Sequence, residues 1–195
     1  KWNSWVFKTS FNGYLNGEQA YKTTYLNGNL SANRVTKDWK INLRARYNYS
    51  IEKFDIDDDI IESENNSTSF SSLIVKSISD HWSYGGSFYL GSSSYSNLDL
   101  SSNIMPRIEY DLFPYSESTR KQLRLLYSIG YSYANYTDTT IYNKTKEGHF
   151  QQSFSVAYEV VQKWGSIDVN AEYSNYMHDW SKNNLSIYGF MDLRI

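Results

Sequence analysis

The sequence holds three histidines and no cysteine, and these few residues set the limits on its chemistry. Without cysteine there is no thiol nucleophile, thiolate zinc site, iron–sulfur cluster or disulfide staple. His178 is followed directly by Asp179, and His149 lies two residues after Glu147. An imidazole oriented by a carboxylate can activate a serine or a water. Adjacent residues of a strand point to opposite faces, however, so His178 and Asp179 could pair only in a loop. A surface imidazole is the plainer reading of both, and His81 falls in a turn. No catalytic residue is assigned, and the chain is not expected to be an enzyme.

A second chemistry would be metal binding. Asp55, Asp57 and Asp59 alternate within an acidic run that also holds Asp58, Glu62 and Glu64. Hard cations such as calcium take oxygen ligands of this kind. The run lacks the glycine and terminal glutamate of an EF-hand, and a solvated acidic loop explains it more simply. No glycine-rich phosphate loop occurs, so no cofactor is expected. Gly85-Gly86 sits inside a strand pattern, where glycine eases curvature or close packing. A formal charge of −2 lacks the basic excess that nucleic acid needs, so nucleic acid is not an expected partner.

The elements that would position these residues follow from the spacing of apolar side chains. From 39 to 52, Trp39, Ile41, Leu43, Ala45, Tyr47, Tyr49 and Ile51 alternate with Lys40, Asn42, Arg44, Arg46, Asn48, Ser50 and Glu52. Period two predicts a β-strand with one apolar and one polar face. The pattern returns over 82–90, 104–112, 123–133, 150–160, 167–173 and 185–193, and more weakly over 5–15, 21–32 and 70–77. Ten strands are predicted. No apolar run is long enough for a transmembrane helix, so any membrane crossing is made by strands.

Ten strands in 195 residues leave long repeats, ordinary for an outer-membrane barrel. Connections after even strands are tight, as at 35–38, 78–81 and 162–165, whereas those at 53–66 and 137–147 read as long and polar. Short periplasmic turns and longer outside loops are the barrel arrangement. On the third strand, Trp39, Tyr47 and Tyr49 flank an aliphatic middle, as interfacial aromatic belts do. Trp82, Tyr131 and Tyr133 join them as expected lipid-facing aromatics. A soluble β-sandwich also alternates and is the structural alternative. The predicted fold is all-β, an antiparallel up-and-down transmembrane β-barrel spanning 1–195 as one domain.

Four segments carry a family resemblance: NRVTKDWKINL (33–43), YDLFPYSESTRKQLRLLYSIGY (110–131), YTDTTIYNKTKE (136–147) and QKWGSIDVNAEYSNYMHD (162–179). Together they resemble an uncharacterised family of outer-membrane β-barrel proteins from Bacteroidota, distantly similar to the salt-induced outer-membrane proteins. The resemblance implies fold and outer-membrane location, and carries no assigned activity. Family members are longer at both ends, so the chain reads as a fragment of a parent with twelve strands.

If the polar faces line a lumen, Lys8, Lys40, Arg44, Arg46, Lys76, Arg107, Arg124 and Arg194 point inward. So do Glu52, Glu109, Asp111, Glu159, Asp168, Glu172 and Asp192. A selective pore favours one sign. Near-balance instead predicts ion pairs filling a narrow or occluded lumen, since ten tilted strands close at a backbone radius of only about 10 Å. The expected function is a non-enzymatic structural or accessory barrel. Its expected partners are outer-membrane lipids and other outer-membrane or periplasmic proteins. The alternatives are a channel for small solutes and, third, an outer-membrane hydrolase.

Overall fold

The computed structural model describes residues 4–56 and 59–194. They form ten strands: β1 (Trp5–Gly17), β2 (Tyr21–Val35), β3 (Trp39–Ile56), β4 (Asp59–Ser77), β5 (Trp82–Ser93), β6 (Leu98–Asp111), β7 (Lys121–Tyr136), β8 (Lys146–Gln162), β9 (Gly165–Tyr176) and β10 (Asp179–Leu193). One 3₁₀ turn, Tyr115–Glu117, interrupts the β6–β7 connection. Each strand pairs with its sequence neighbour in one sheet, ordered β1 to β10, and all pairs are antiparallel. Connections this short can only join adjacent antiparallel strands.

Two expectations change. The stretch 53–66 is not a long loop but the tip of the β3–β4 hairpin, and the longest connections, 112–120 and 137–145, lie at opposite ends of the sheet, so the expected asymmetry of connection length is absent. Pairing continues through Glu52↔Ser63, Lys53↔Glu62, Phe54↔Ile61 and Asp55↔Ile60 to Ile56↔Asp59. The physical cause lies in these cross-strand pairs: Lys53 Nζ reaches Glu62 Oε2 at 2.7 Å, and Phe54 and Ile61 stand opposite each other. The second change concerns closure. β1 pairs only with β2 and β10 only with β9, so the sheet is open among the described residues.

Register separates the faces. Leu30, Ala45, Phe70 and Leu90 lie in one cross-strand row, continued by Ser102, Tyr133 and Gly148. The neighbouring row on the same face runs Ala32, Leu43, Ser72, Phe88, Ile104, Tyr131 and Phe150. No hydrophobic side chain is buried among the described residues, and those on this face stay exposed or half-exposed. A β-sandwich would cover such a face with a second sheet. Here there is one layer.

The opposite face is polar and concave. Ser83, Asp111 and Ser128 on it are buried. Arg107 of β6 interacts electrostatically with Glu172 of β9, and Gln151 of β8 reaches Met105 of β6 at 3.6 Å. Glycine permits the curl: a Cβ at Gly85 would strike the carbonyl oxygen of Ile74, and one at Gly130 that of Ile104. Only a bare backbone allows that approach.

Candidate functional site

The concave wall carries the charged residues singled out above. Lys40, Arg44 and Arg46 alternate on β3, opposite Val75, Ser71 and Ser69 of β4. Arg107 and Glu109 do so on β6, opposite Gly85 and Ser83. Arg124 stands across from Asp111, Glu159 across from Asp168, and Glu172 across from Ser155. All share one face because their register partners do. Lys76 is the exception. It pairs in register with Trp39 and Tyr84 and therefore lies on the apolar face. The run Leu73-Ile74-Val75 puts apolar residues on both faces of β4, which hides its parity in the sequence.

Within this wall one of the expected ion pairs forms, Arg124 Nε to Glu109 Oε2 at 3.7 Å. Arg107 donates instead to Ser87 Oγ at 2.7 Å. Lys40, Arg44 and Arg46 make no ion pair among the described residues, and both arginines are exposed. Neutral groups link the strands laterally. Asn27 donates to Asn48, Asn48 to Ser67 at 3.1 Å, and Asn103 to Ser132 at 2.6 Å. A groove of about 370 Å³ runs beside Asn33, Asn42, Arg44, Ser87, Tyr89 and Arg107. Its chemistry suits hydrogen bonding to an anion or a polar solute.

At the end of the wall bordered by connections 78–81 and 112–120, Glu109 and Asp111 project from alternate positions of β6. Ser83 Oγ donates to Glu109 at 3.3 Å and Tyr115 Oη to the same oxygen at 3.5 Å. Asp111 is 1 % exposed, and neither of its carboxylate oxygens has a hydrogen-bond partner among the described residues. Tyr115 belongs to the 3₁₀ turn, which is tied to the β4–β5 turn by its backbone N–H donating to Asp80 O at 3.0 Å. Burial pushes the Tyr115 phenol above its ordinary range.

At the opposite end, His149 packs edge-on against Tyr176 at 4.4 Å between ring centroids, with His178 6.4 Å from His149. The sequence offers these two histidines as separate candidates, and the fold brings them together across β8 and the β9–β10 turn. The carboxylates do not join it. Glu147 binds Tyr136 Oη at 2.5 Å and Lys144 Nζ at 2.8 Å. Asp179 accepts from Ser181 Oγ at 2.6 Å. Neither imidazole is thus hydrogen-bonded to a carboxylate among the described residues.

The acidic run does not converge. Asp55 and Asp59 flank the hairpin tip, and register puts them on opposite faces, since Asp59 pairs with Ile56 and Asp55 with Ile60. Asp57 and Asp58 lie outside the described residues. No cluster of three or more histidine or carboxylate side chains suited to a metal occurs among those described. The six aromatics named above, Trp39, Tyr47, Tyr49, Trp82, Tyr131 and Tyr133, all share the apolar face by register. What the sequence reading missed is the aromatic and basic pairing on that face: Arg34 over Trp5 and Lys76 over Trp39. The signal was present as basic residues bordering tight turns, but parity was needed to place them.

Compared with known proteins, the chain matches no protein-family model, no curated protein and no solved structure.

Proposed function

We propose that this chain is a non-enzymatic integral β-barrel of the bacterial outer membrane, with a narrow or occluded lumen, acting as a structural or accessory subunit that docks other envelope proteins. One observation carries the reading. The apolar face of the ten-stranded sheet extends over every strand with no second layer upon it and no buried hydrophobic side chain among the described residues. Lipid is the environment that such a face satisfies without a protein cover, and strands of 12 to 19 residues exceed the roughly ten needed to cross. In lipid the free edges of β1 and β10 must also be paired, so the functional sheet is closed, directly or through further strands. Tyr25 and Tyr89 project with Arg44 and Arg46 from the polar face and would narrow its interior. The 3₁₀ turn braced on the β4–β5 turn offers a shaped surface for a periplasmic partner.

Membrane fractionation tests the first part: the protein should need detergent for extraction, and release by salt or carbonate washing would sink it. A detergent pull-down tests docking, where recovery of the barrel alone counts against it. The groove beside Arg44 and Arg107 favours a second reading, a channel for small anionic solutes. Large stable open steps in planar bilayers would select it over an occluded lumen.

A further inference from the structure

The apolar face carries basic side chains at one rim. Arg34 stands opposite Trp5 and Ile41, with its guanidinium carbon 6.0 Å from the Trp5 ring centroid. Lys76 stands opposite Trp39 and Tyr84, with Nζ 5.4 Å from the Trp39 ring. Lys121 stands opposite Val160, with Nζ 4.4 Å from the Phe113 ring. All three cation–π pairs therefore border connections at one end of the sheet: 36–38, 78–81 and 112–120. Glu117 already neutralises Lys121 at 2.8 Å, whereas Arg34 and Lys76 have no acid within ion-pairing distance among the described residues.

The other rim of the same face mixes signs, with Lys22 standing opposite Lys53. There Lys53 is neutralised by Glu62, and Glu64 stands opposite Ile51. A cation held against an indole keeps its stem on apolar surface and its head toward water. Tryptophan and tyrosine settle at the level of lipid headgroups. In a bilayer this would hold Arg34 and Lys76 at the depth where phosphates lie, with no acid within ion-pairing distance among the described residues.

We propose that this rim of the apolar face, beside connections 36–38 and 78–81, binds anionic phospholipid headgroups, Arg34 and Lys76 meeting the phosphate while Trp5, Trp39 and Tyr84 set its depth. The inference rests on the membrane reading and names the lipid chemistry of that surface. Charge complementarity selects an anionic over a zwitterionic lipid, because a zwitterion brings its own cation.

The test uses the protein reconstituted in phosphatidylcholine bilayers doped with quencher-labelled phosphatidylglycerol or phosphatidylcholine carrying the same label, read by tryptophan quenching. Phosphatidylglycerol is expected to associate at least about fivefold more strongly, with the preference shrinking as salt rises. The double variant R34Q/K76Q should bring the ratio near unity, and K53Q on the other rim, where Glu62 already neutralises the lysine, should leave it unchanged. Equal quenching by both lipids in the unaltered protein, or a preference that R34Q/K76Q retains, overturns the headgroup site while leaving the membrane reading standing. Failure to float with either vesicle overturns the membrane reading and the headgroup site together.

Discussion

The convex and concave faces of this sheet are built from the same ten strands, yet they meet their surroundings in different ways. On the convex face Leu30, Ala45, Phe70 and Leu90 line up across four strands and leave large side chains uncovered. On the concave face serines and asparagines bond from strand to strand, and the charges among them are largely unpaired. The contrast teaches that the apolar face finds no cover within the sheet itself, while the polar face carries much of its own satisfaction. Backbone bonding is common to both, so side-chain chemistry alone makes the distinction.

The sharpest way to break this comparison is to place a charge on each face at adjacent positions. Phe70→Arg should lower unfolding stability in lipid by about 2–4 kcal/mol, the cost of a cation facing the bilayer midplane. Ser71→Glu, one residue on and opposite Arg44, should leave it nearly unchanged. Urea titration of the reconstituted protein reads both, and equal losses would abolish the assignment of faces.

Curvature gives the next largest effect. Gly85→Val drives a side chain into the Ile74 carbonyl on the concave side and should cost about 1–3 kcal/mol. At Gly28, on the convex side, an added Cβ would meet nothing within 4 Å, so Gly28→Ala should fold as the parent does. A smaller effect separates structural from solute-facing arginines. Arg107→Met removes the hydrogen bond to Ser87 and should cost about 1 kcal/mol of assembly stability. Arg44→Met removes no bonded partner and should alter permeation, if any, rather than folding; measuring both variants by refolding yield and bilayer conductance sharpens the distinction.

The smallest effect lies outside both faces, in the 3₁₀ turn. The hydrogen bond from Lys121 holds the Glu117 carboxyl below its ordinary range. Its stabilising pair is complete above the ordinary carboxylate pKa and is lost as pH falls through the lowered one. Carboxyl chemical shifts followed against pH should show a depressed midpoint that returns to the ordinary range in Lys121→Gln.

Much of this was legible from spacing because the alternation of side chains is a property of each extended residue. Trp39 through Ile51 assign their own faces, and the strands built on such runs appear where expected. The acidic stretch after Lys53 was misleading because polarity resembles a loop, whereas pairing with Glu62 and Ile61 extends the hairpin. Lys76 was misplaced because Leu73 and Val75 mimic the opposite parity. His149 and His178 were named as separate possibilities, and their proximity emerged only when β8 was set beside β9.

The sequence by itself determined the all-β architecture, the approximate strand count and the existence of one apolar and one polar face, since these depend on local backbone geometry. Tertiary structure decided register, and with it which charges meet, which carboxylate of the Glu109–Asp111 pair is buried without a partner, and which rim gathers cations over aromatics. Those outcomes depend on residues brought opposite one another by the turns, and no spacing along a single strand contains them.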